Sequence, residues 1–164
     1  MILKRLIVCV YMLMAASFAQ AQRIPFRFAF VSDTHIGSPD GKAEEDLRRT
    51  VADINATPGL AFVVLTGDIT EMGTNAEIAL AKAILDSLHI PWFIIPGNHD
   101  TGWSESGGVT FTKVFGYDKF SFDYAGIRFL GCASGPYVRM SDGHVARDAV
   151  LWLDSTLKTI PNAQ

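Results

Sequence analysis

Three short apolar runs, residues 26–31, 60–65 and 92–95, recur along the chain, and each breaks off into a cluster of polar side chains. The first ends at Ser32-Asp33-Thr34-His35, the second at Gly67-Asp68 and the third at Pro96-Gly97-Asn98-His99-Asp100. Apolar runs of this length bounded by turn residues read as buried strands. Helical patterns fill the intervals between them. Leu47, Val51 and Ile54 share one face of a segment whose other positions hold Glu44, Glu45, Arg48 and Arg49, and Pro58-Gly59 stops it. Its acidic start, Glu44-Glu45-Asp46, suits the positive end of a helix dipole and reads as a solvated first turn. Thr74 and Glu77 have the spacing of a capping box, Ile78, Ala81, Leu85 and Leu88 follow at helical spacing, and Pro91 ends the segment. A strand-helix alternation of this kind predicts an α/β fold with a parallel sheet, whose functional sites lie at the carboxyl ends of the strands. That is where all three polar clusters fall.

The later part of the chain has a different rhythm. Residues 101–116 are rich in Gly and Ser with scattered aromatics and read as a long surface loop. Residues 119–124 and 127–131 alternate as two strands of an antiparallel hairpin turning at Ala125-Gly126. A last helix runs from Arg147 to Ile160-Pro161 with Val150, Leu151, Leu153 and Leu157 as its apolar positions. Trp92, Phe93 and the hairpin phenylalanines are expected in the core. At 164 residues, 49% of them hydrophobic and 19% charged, the chain has the size and composition of one globular folding unit.

The first residues read as an export signal: Lys4 and Arg5 are followed by the apolar residues 6–14 and by Ala19-Gln20-Ala21, a small-x-small cleavage site. The apolar stretch is shorter than the roughly 20 residues that span a bilayer, so a cleaved signal over residues 1–21 and a domain over 22–164 are expected, placing the protein in the periplasm or outside the cell. No later segment is apolar enough to cross a membrane. Without Lys4 and Arg5, 12 basic residues face 17 acidic ones, which weighs against a binder of duplex nucleic acid. Cys9 lies within the signal, leaving Cys132 with no internal disulfide partner.

Asp33, His35, Asp68, Asn98 and His99 are oxygen and nitrogen donors on the ends of what should be neighbouring strands. A mixed set of carboxylate, imidazole and amide suits Mn, Fe or Zn. Two such ions about 3.5 to 4 Å apart clamp a phosphoryl group and activate a water, and Asp68 is central enough to bridge them. The bland alternative is that these side chains only cap strands and bind neighbouring backbone. Singly, Asp-x-His, Gly-Asp and Asn-His-Asp are weak signals. Together, in order and at strand ends, they are specific.

The set Asp33-Thr34-His35, Gly67-Asp68 and Gly97-Asn98-His99-Asp100 resembles the calcineurin-like metallophosphoesterases, with spacings of 35 and 30 residues between Asp33, Asp68 and Asn98. The resemblance runs from about Arg27 onward. It implies a layered α/β sandwich of mixed sheets flanked by helices, two divalent or trivalent ions and a phosphate-ester substrate, either a monoester or a diester. It further implies that Asp33 and His35 bind the first ion, that Asp68 bridges, and that Asn98 binds the second. By the same resemblance His99 stabilises the transition state or protonates the leaving oxygen, and Asp100 orients it. Family members carry a further histidine and a Gly-His-x-His segment, and this sequence has neither. The chain is therefore expected to be the N-terminal part of such a domain, and the alternative function is a non-catalytic metal- or phosphate-binding remnant. His144, in Ser141-Asp142-Gly143-His144, reads as a turn before the last helix rather than as a substitute ligand.

Overall fold

The computed structural model describes residues 25–135 and 143–160. The export signal expected over residues 1–21 lies outside them, as do Ser141 and Asp142 of the turn before the last helix. No helix among the described residues is long and apolar enough to cross a membrane.

The first three strands form as their apolar runs predict. Strands β1 (Arg27–Val31), β2 (Leu60–Leu65) and β3 (Trp92–Ile94) make a parallel sheet in the order β1-β2-β3, with helix α1 (Ala43–Ala56) between the first two and α2 (Asn75–Leu85) between the second two. Helix α1 buries Leu47 and Val51 and carries the exposed pairs Glu44–Arg48 and Glu45–Arg49, each at 2.8 Å. Helix α2 begins at the expected capping box: the Thr74 hydroxyl accepts from the Glu77 amide at 3.2 Å, and the Glu77 carboxylate accepts from the Thr74 amide at 3.0 Å.

The two faces of the sheet are covered differently. Val63, Leu65 and Ile94 pack with the buried residues of α1 and α2 in one aliphatic core. On the opposite face Phe62 and Phe93 meet the aromatic side chains of an antiparallel hairpin, β4 (Lys119–Tyr124) and β5 (Ile127–Cys132). Phe93 stacks on Phe122 with ring centroids 3.7 Å apart, and Phe62 meets Phe122 and Phe129 edge-on, each at 5.0 Å. The result is a layered α/β sandwich: helices, parallel sheet, hairpin sheet. The hairpin turns where expected, with positive φ at both Ala125 and Gly126, as a tight two-residue turn requires.

Three expectations are corrected. Strand β1 is not largely buried, since Phe28 is 40% and Phe30 65% exposed. It borders β2 alone among the described strands, and its outward side chains lack the cover that the central strand has. Residues 101–116 are not simply a surface loop. They follow directly on a short helix, α3 (Asn98–Thr101), and contain α4 (Val109–Phe115), which sends Phe111 and Phe115, four residues apart and with rings 4.5 Å apart, into the aliphatic core. The last helix, α5 (Arg147–Lys158), buries Ala149, whereas Val150, Leu151 and Leu157 are each at least half exposed. Its Asp148 instead reaches Lys119 on β4 at 3.2 Å.

Candidate metal centre

Beyond the sheet, the segments that follow β1 and β2 continue side by side. The Asp33 amide donates to the Gly67 carbonyl at 3.1 Å, His35 to Asp68 at 3.0 Å and Ile36 to Ile69 at 2.8 Å, and the Glu71 amide returns to the Ile36 carbonyl at 2.9 Å. Ile36 and Ile69, 1% and 0% exposed, anchor the two segments in the core. The polar residues just before these anchors adopt a backbone that side chains rarely take: φ is 56° at Asp33, 46° at His35 and 49° at Asp68. A left-handed residue other than Gly costs roughly 1 kcal/mol or more, so the flanking hydrogen bonds and buried isoleucines must hold each one in place.

Two glycines let the ends of β2 and β3 meet. Gly67 has φ of 98°, and a Cβ there would sit 2.5 Å from the Gly97 nitrogen, while a Cβ on Gly97 would overlap the Asp68 carboxylate and amide. With both side chains absent, the His99 amide donates to Asp68 Oδ1 at 3.0 Å. Asp33, Asp68 and Asn98 then line one cleft of about 230 Å³.

The donor atoms of Asp33, His35 and Asp68 lie within 4.8 Å of one another, and so do those of His35, Glu71 and His99. His35 Nε2 is 3.9 Å from Asp33 Oδ1, within the roughly 4.2 Å that two ligand bonds of about 2.1 Å can span. Its other nitrogen, Nδ1, is 2.9 Å from Glu71 Oε2. His99 Nδ1 lies 2.6 Å from the Glu71 carbonyl oxygen, and the two imidazoles meet edge to face with centroids 4.8 Å apart. Carboxylates, imidazole and an amide oxygen from three strand ends are a donor set that fits a hard or borderline ion.

A profile of the calcineurin-like phosphoesterase family matches residues 26–159, a stretch that includes every one of these donors. The chain belongs to the calcineurin-like phosphoesterase family. Among curated relatives, a probable glycerophosphodiester phosphodiesterase of Arcobacter nitrofigilis is 32% identical over 147 residues, covering 80% of this chain and 52% of the relative. A 3′,5′-cyclic-nucleotide phosphodiesterase of Nostoc sp. is 24% identical over 153 residues, covering 86% of this chain and 54% of the relative. A glycerophosphodiester phosphodiesterase of Enterobacter lignolyticus is 37% identical over 79 residues, 44% of this chain and 28% of its own length. The chain thus spans about half the length of the first relatives it matches.

Within this calcineurin-like phosphoesterase, Asp100 does not do what the resemblance implies. Its carboxylate is fully buried and accepts from the amides of Gly97 at 2.8 Å, Thr70 at 2.9 Å and Ile69 at 3.3 Å, and from the Thr70 hydroxyl at 2.7 Å. The partner found for His99 Nδ1 is the Glu71 carbonyl. Successive residues of a helical turn point in different directions, so Asp100 enters the core as a latch between the ends of β2 and β3 while His99 turns toward Glu71. Burial pushes the Asp100 carboxyl above its ordinary range, against the pull of those hydrogen bonds.

Two participants were not found by sequence reasoning. Glu71 stands three positions after Asp68, outside the three clusters read from the sequence, and the pairing of the two strand-end segments brings it to His35. Gly135, after β5, lies so close to the third cluster that a Cβ would sit 2.8 Å from the Asn98 nitrogen. His144 donates its amide to the Ser134 carbonyl at 2.7 Å and lines a separate small cleft with Lys119, Cys132 and Asp148. That placement agrees with a turn.

Proposed function

We propose that this chain carries the first half of the metal centre of a metal-dependent phosphodiesterase. The observation that carries the reading is the convergence of Asp33, His35 and Asp68 within 4.8 Å, with Asn98 sharing a cleft with Asp33 and Asp68. Asp33 and His35 would hold one ion, Asp68 would lie between two, and Asn98 would serve the second; Mn, Fe or Zn suits these donors. A pair of such ions supplies an activated water and charge neutralisation for the phosphoryl oxygens. The relatives named for glycerophosphodiester and cyclic-nucleotide hydrolysis support a diester substrate.

His99 has a separate task. A carbonyl oxygen only accepts hydrogen bonds, so Nδ1 carries a proton against Glu71 and Nε2 is left to meet a phosphoryl or leaving-group oxygen. Protonated, that nitrogen donates to the departing alcohol. Asp100 contributes by fixing the backbone that bears Asn98 and His99, without touching the imidazole.

The test is hydrolysis of bis(p-nitrophenyl) phosphate with added Mn(II), compared with p-nitrophenyl phosphate and with the Asp68→Asn protein. Metal-dependent cleavage that prefers the diester and falls by two orders of magnitude or more in Asp68→Asn supports the reading. Asp68 and Asn98 alone give the second ion few ligands, and this favours a second reading, a non-catalytic metal- or phosphate-binding remnant. Binding of Mn(II) or inorganic phosphate without turnover would support that alternative, and absence of binding of either contradicts both readings. The signal-like residues 1–21 support a reaction outside the cytoplasm, which N-terminal sequencing of the exported protein checks.

A further inference from the structure

We propose that Trp103 is a specificity-determining residue of this centre, the apolar wall against which a phosphodiester lays an aromatic group on its leaving-group side. The inference rests on the metal-centre reading above and deepens it by naming the class of substrate arm.

Trp103 stands beside His99, the two rings tilted by 41° with centroids 6.2 Å apart, within the range of aromatic contact. Nδ1 of His99 is taken by the Glu71 carbonyl, so an alcohol that leaves through Nε2 departs in the neighbourhood of the indole. The place is fixed by the chain around it. The Gly102 amide donates to the Asn98 carbonyl at 2.8 Å, the buried Thr101 hydroxyl donates to the Gly97 carbonyl at 2.9 Å, and the Ser104 hydroxyl accepts from the Gly108 amide at 3.0 Å. Gly73 closes on the same stretch, where a Cβ would sit 2.6 Å from Ser104 Cβ and 2.9 Å from the His99 carbonyl oxygen.

The way the indole is turned decides between a structural role and a functional one. Its Nε1 is buried and has no acceptor among the described residues, although Trp103 as a whole is partly exposed. A tryptophan placed for stability pairs its N–H and buries its carbon. A buried donor without a partner costs stability instead. What this ring can offer to the site is therefore carbon, beside a cluster made of carboxylates, imidazoles and an amide. Met72 adds a second exposed apolar side chain on the same seam: it is 44% exposed, and its neighbours Glu71 and Gly73 lie against His99 and Ser104. A polyol arm such as glycerol gains little from such a wall. A flat aromatic arm gains stacking area.

Two monoanionic probes test this without turnover: monomethyl benzylphosphonate and monomethyl ethylphosphonate, whose carbon–phosphorus bonds resist hydrolysis. Titrated into the Zn(II)-loaded protein, the benzyl probe is expected to bind about 3- to 10-fold more tightly than the ethyl probe. In ¹H–¹⁵N spectra it should shift the indole signal of Trp103 and leave those of Trp92 and Trp152, the other two tryptophans, in place. Trp103→Leu should bring the two affinities to within about twofold, whereas Trp103→Phe, which keeps an aromatic face, should retain most of the preference. The ethyl probe should bind all three proteins alike. The inference is overturned if wild type binds both probes equally, if the Trp103 signal does not move, or if Trp103→Leu keeps the preference. Should Trp103→Leu fail to fold, the wild-type preference, the indole shift and Trp103→Phe still decide. Failure of both probes to bind removes the metal-centre reading, and this role with it, while equal binding removes the role alone.

Discussion

Left-handed backbone at residues other than glycine occurs in two settings in this protein. At the hairpin turn Ala125 has φ of 49°, next to Gly126, and the conformation serves only to reverse the chain between β4 and β5. At the ends of β1 and β2 Asp33, His35 and Asp68 have φ of 56°, 46° and 49°, and the conformation aims three metal-capable side chains at one another. The local geometry is nearly the same and the surroundings are not. The hairpin turn is held by its own ladder, whereas the strand ends are held by buried Ile36, Ile69 and the Asp100 latch. Strain that merely closes a turn can be relieved at a gain. Strain that aims a ligand cannot be relieved without losing the ligand.

The largest expected effect on that contrast comes from the latch. Asp100→Ala leaves the amides of Gly97, Ile69 and Thr70 without their buried acceptor and should destabilise the protein by about 3 kcal/mol or more, measured by urea unfolding. The His99 tautomer in the folded fraction should not change, because Asp100 does not hold that ring. The same carboxyl gives a pH signature. Its value in the folded protein is raised by burial, so its contribution to stability is fully present below the ordinary carboxyl range and is lost as pH rises through the raised value. Melting temperature in metal-free protein should fall across that window in wild type, and this component should be missing from Asp100→Ala.

A smaller pair of effects separates the two left-handed settings directly. Ala125→Gly should stabilise by about 0.5 to 1 kcal/mol, the relief of the left-handed penalty less the added freedom of the unfolded chain, with Mn(II) affinity unchanged. Asp33, whose side chain is 64% exposed and, among the described residues, accepts a hydrogen bond from neighbouring Ser32 and lies 3.9 Å from His35 Nε2, should tolerate Asp33→Gly within about 0.5 kcal/mol, yet Mn(II) affinity should drop more than tenfold. Equal metal binding by Asp33→Gly would break the comparison.

Much of this arrangement is legible in the sequence. Short apolar runs, the Thr74–Glu77 cap and the Ala125-Gly126 turn are local signals, and they specify β1 to β3, α2 and the hairpin wherever the chain lies in space. The donors at the strand ends are legible for the same reason, since parallel strands bring their carboxyl ends together whatever the helices between them do. What escapes depends on neighbours. Helix α4 hides behind the Gly- and Ser-rich composition of residues 101–116, because its apolar face is short, with Phe111 and Phe115 buried and Val114 partly buried beside them. The exposure of Phe28 and Phe30 follows from the position of β1 beside a single described strand, which a run of apolar letters does not encode. The family resemblance implied that Asp100 orients His99. Within one helical turn their side chains point apart, and Glu71, 28 residues from His99, takes the place beside the ring.

The most direct test is a crystal structure of the protein with Mn(II), with anomalous scattering used to locate the ion. An anomalous peak bound by Asp33, His35 Nε2 and Asp68, with Glu71 still on His35 Nδ1, is the predicted result. A peak elsewhere, or none at a Mn(II) concentration that saturates binding in solution, would contradict a metal centre at these strand ends.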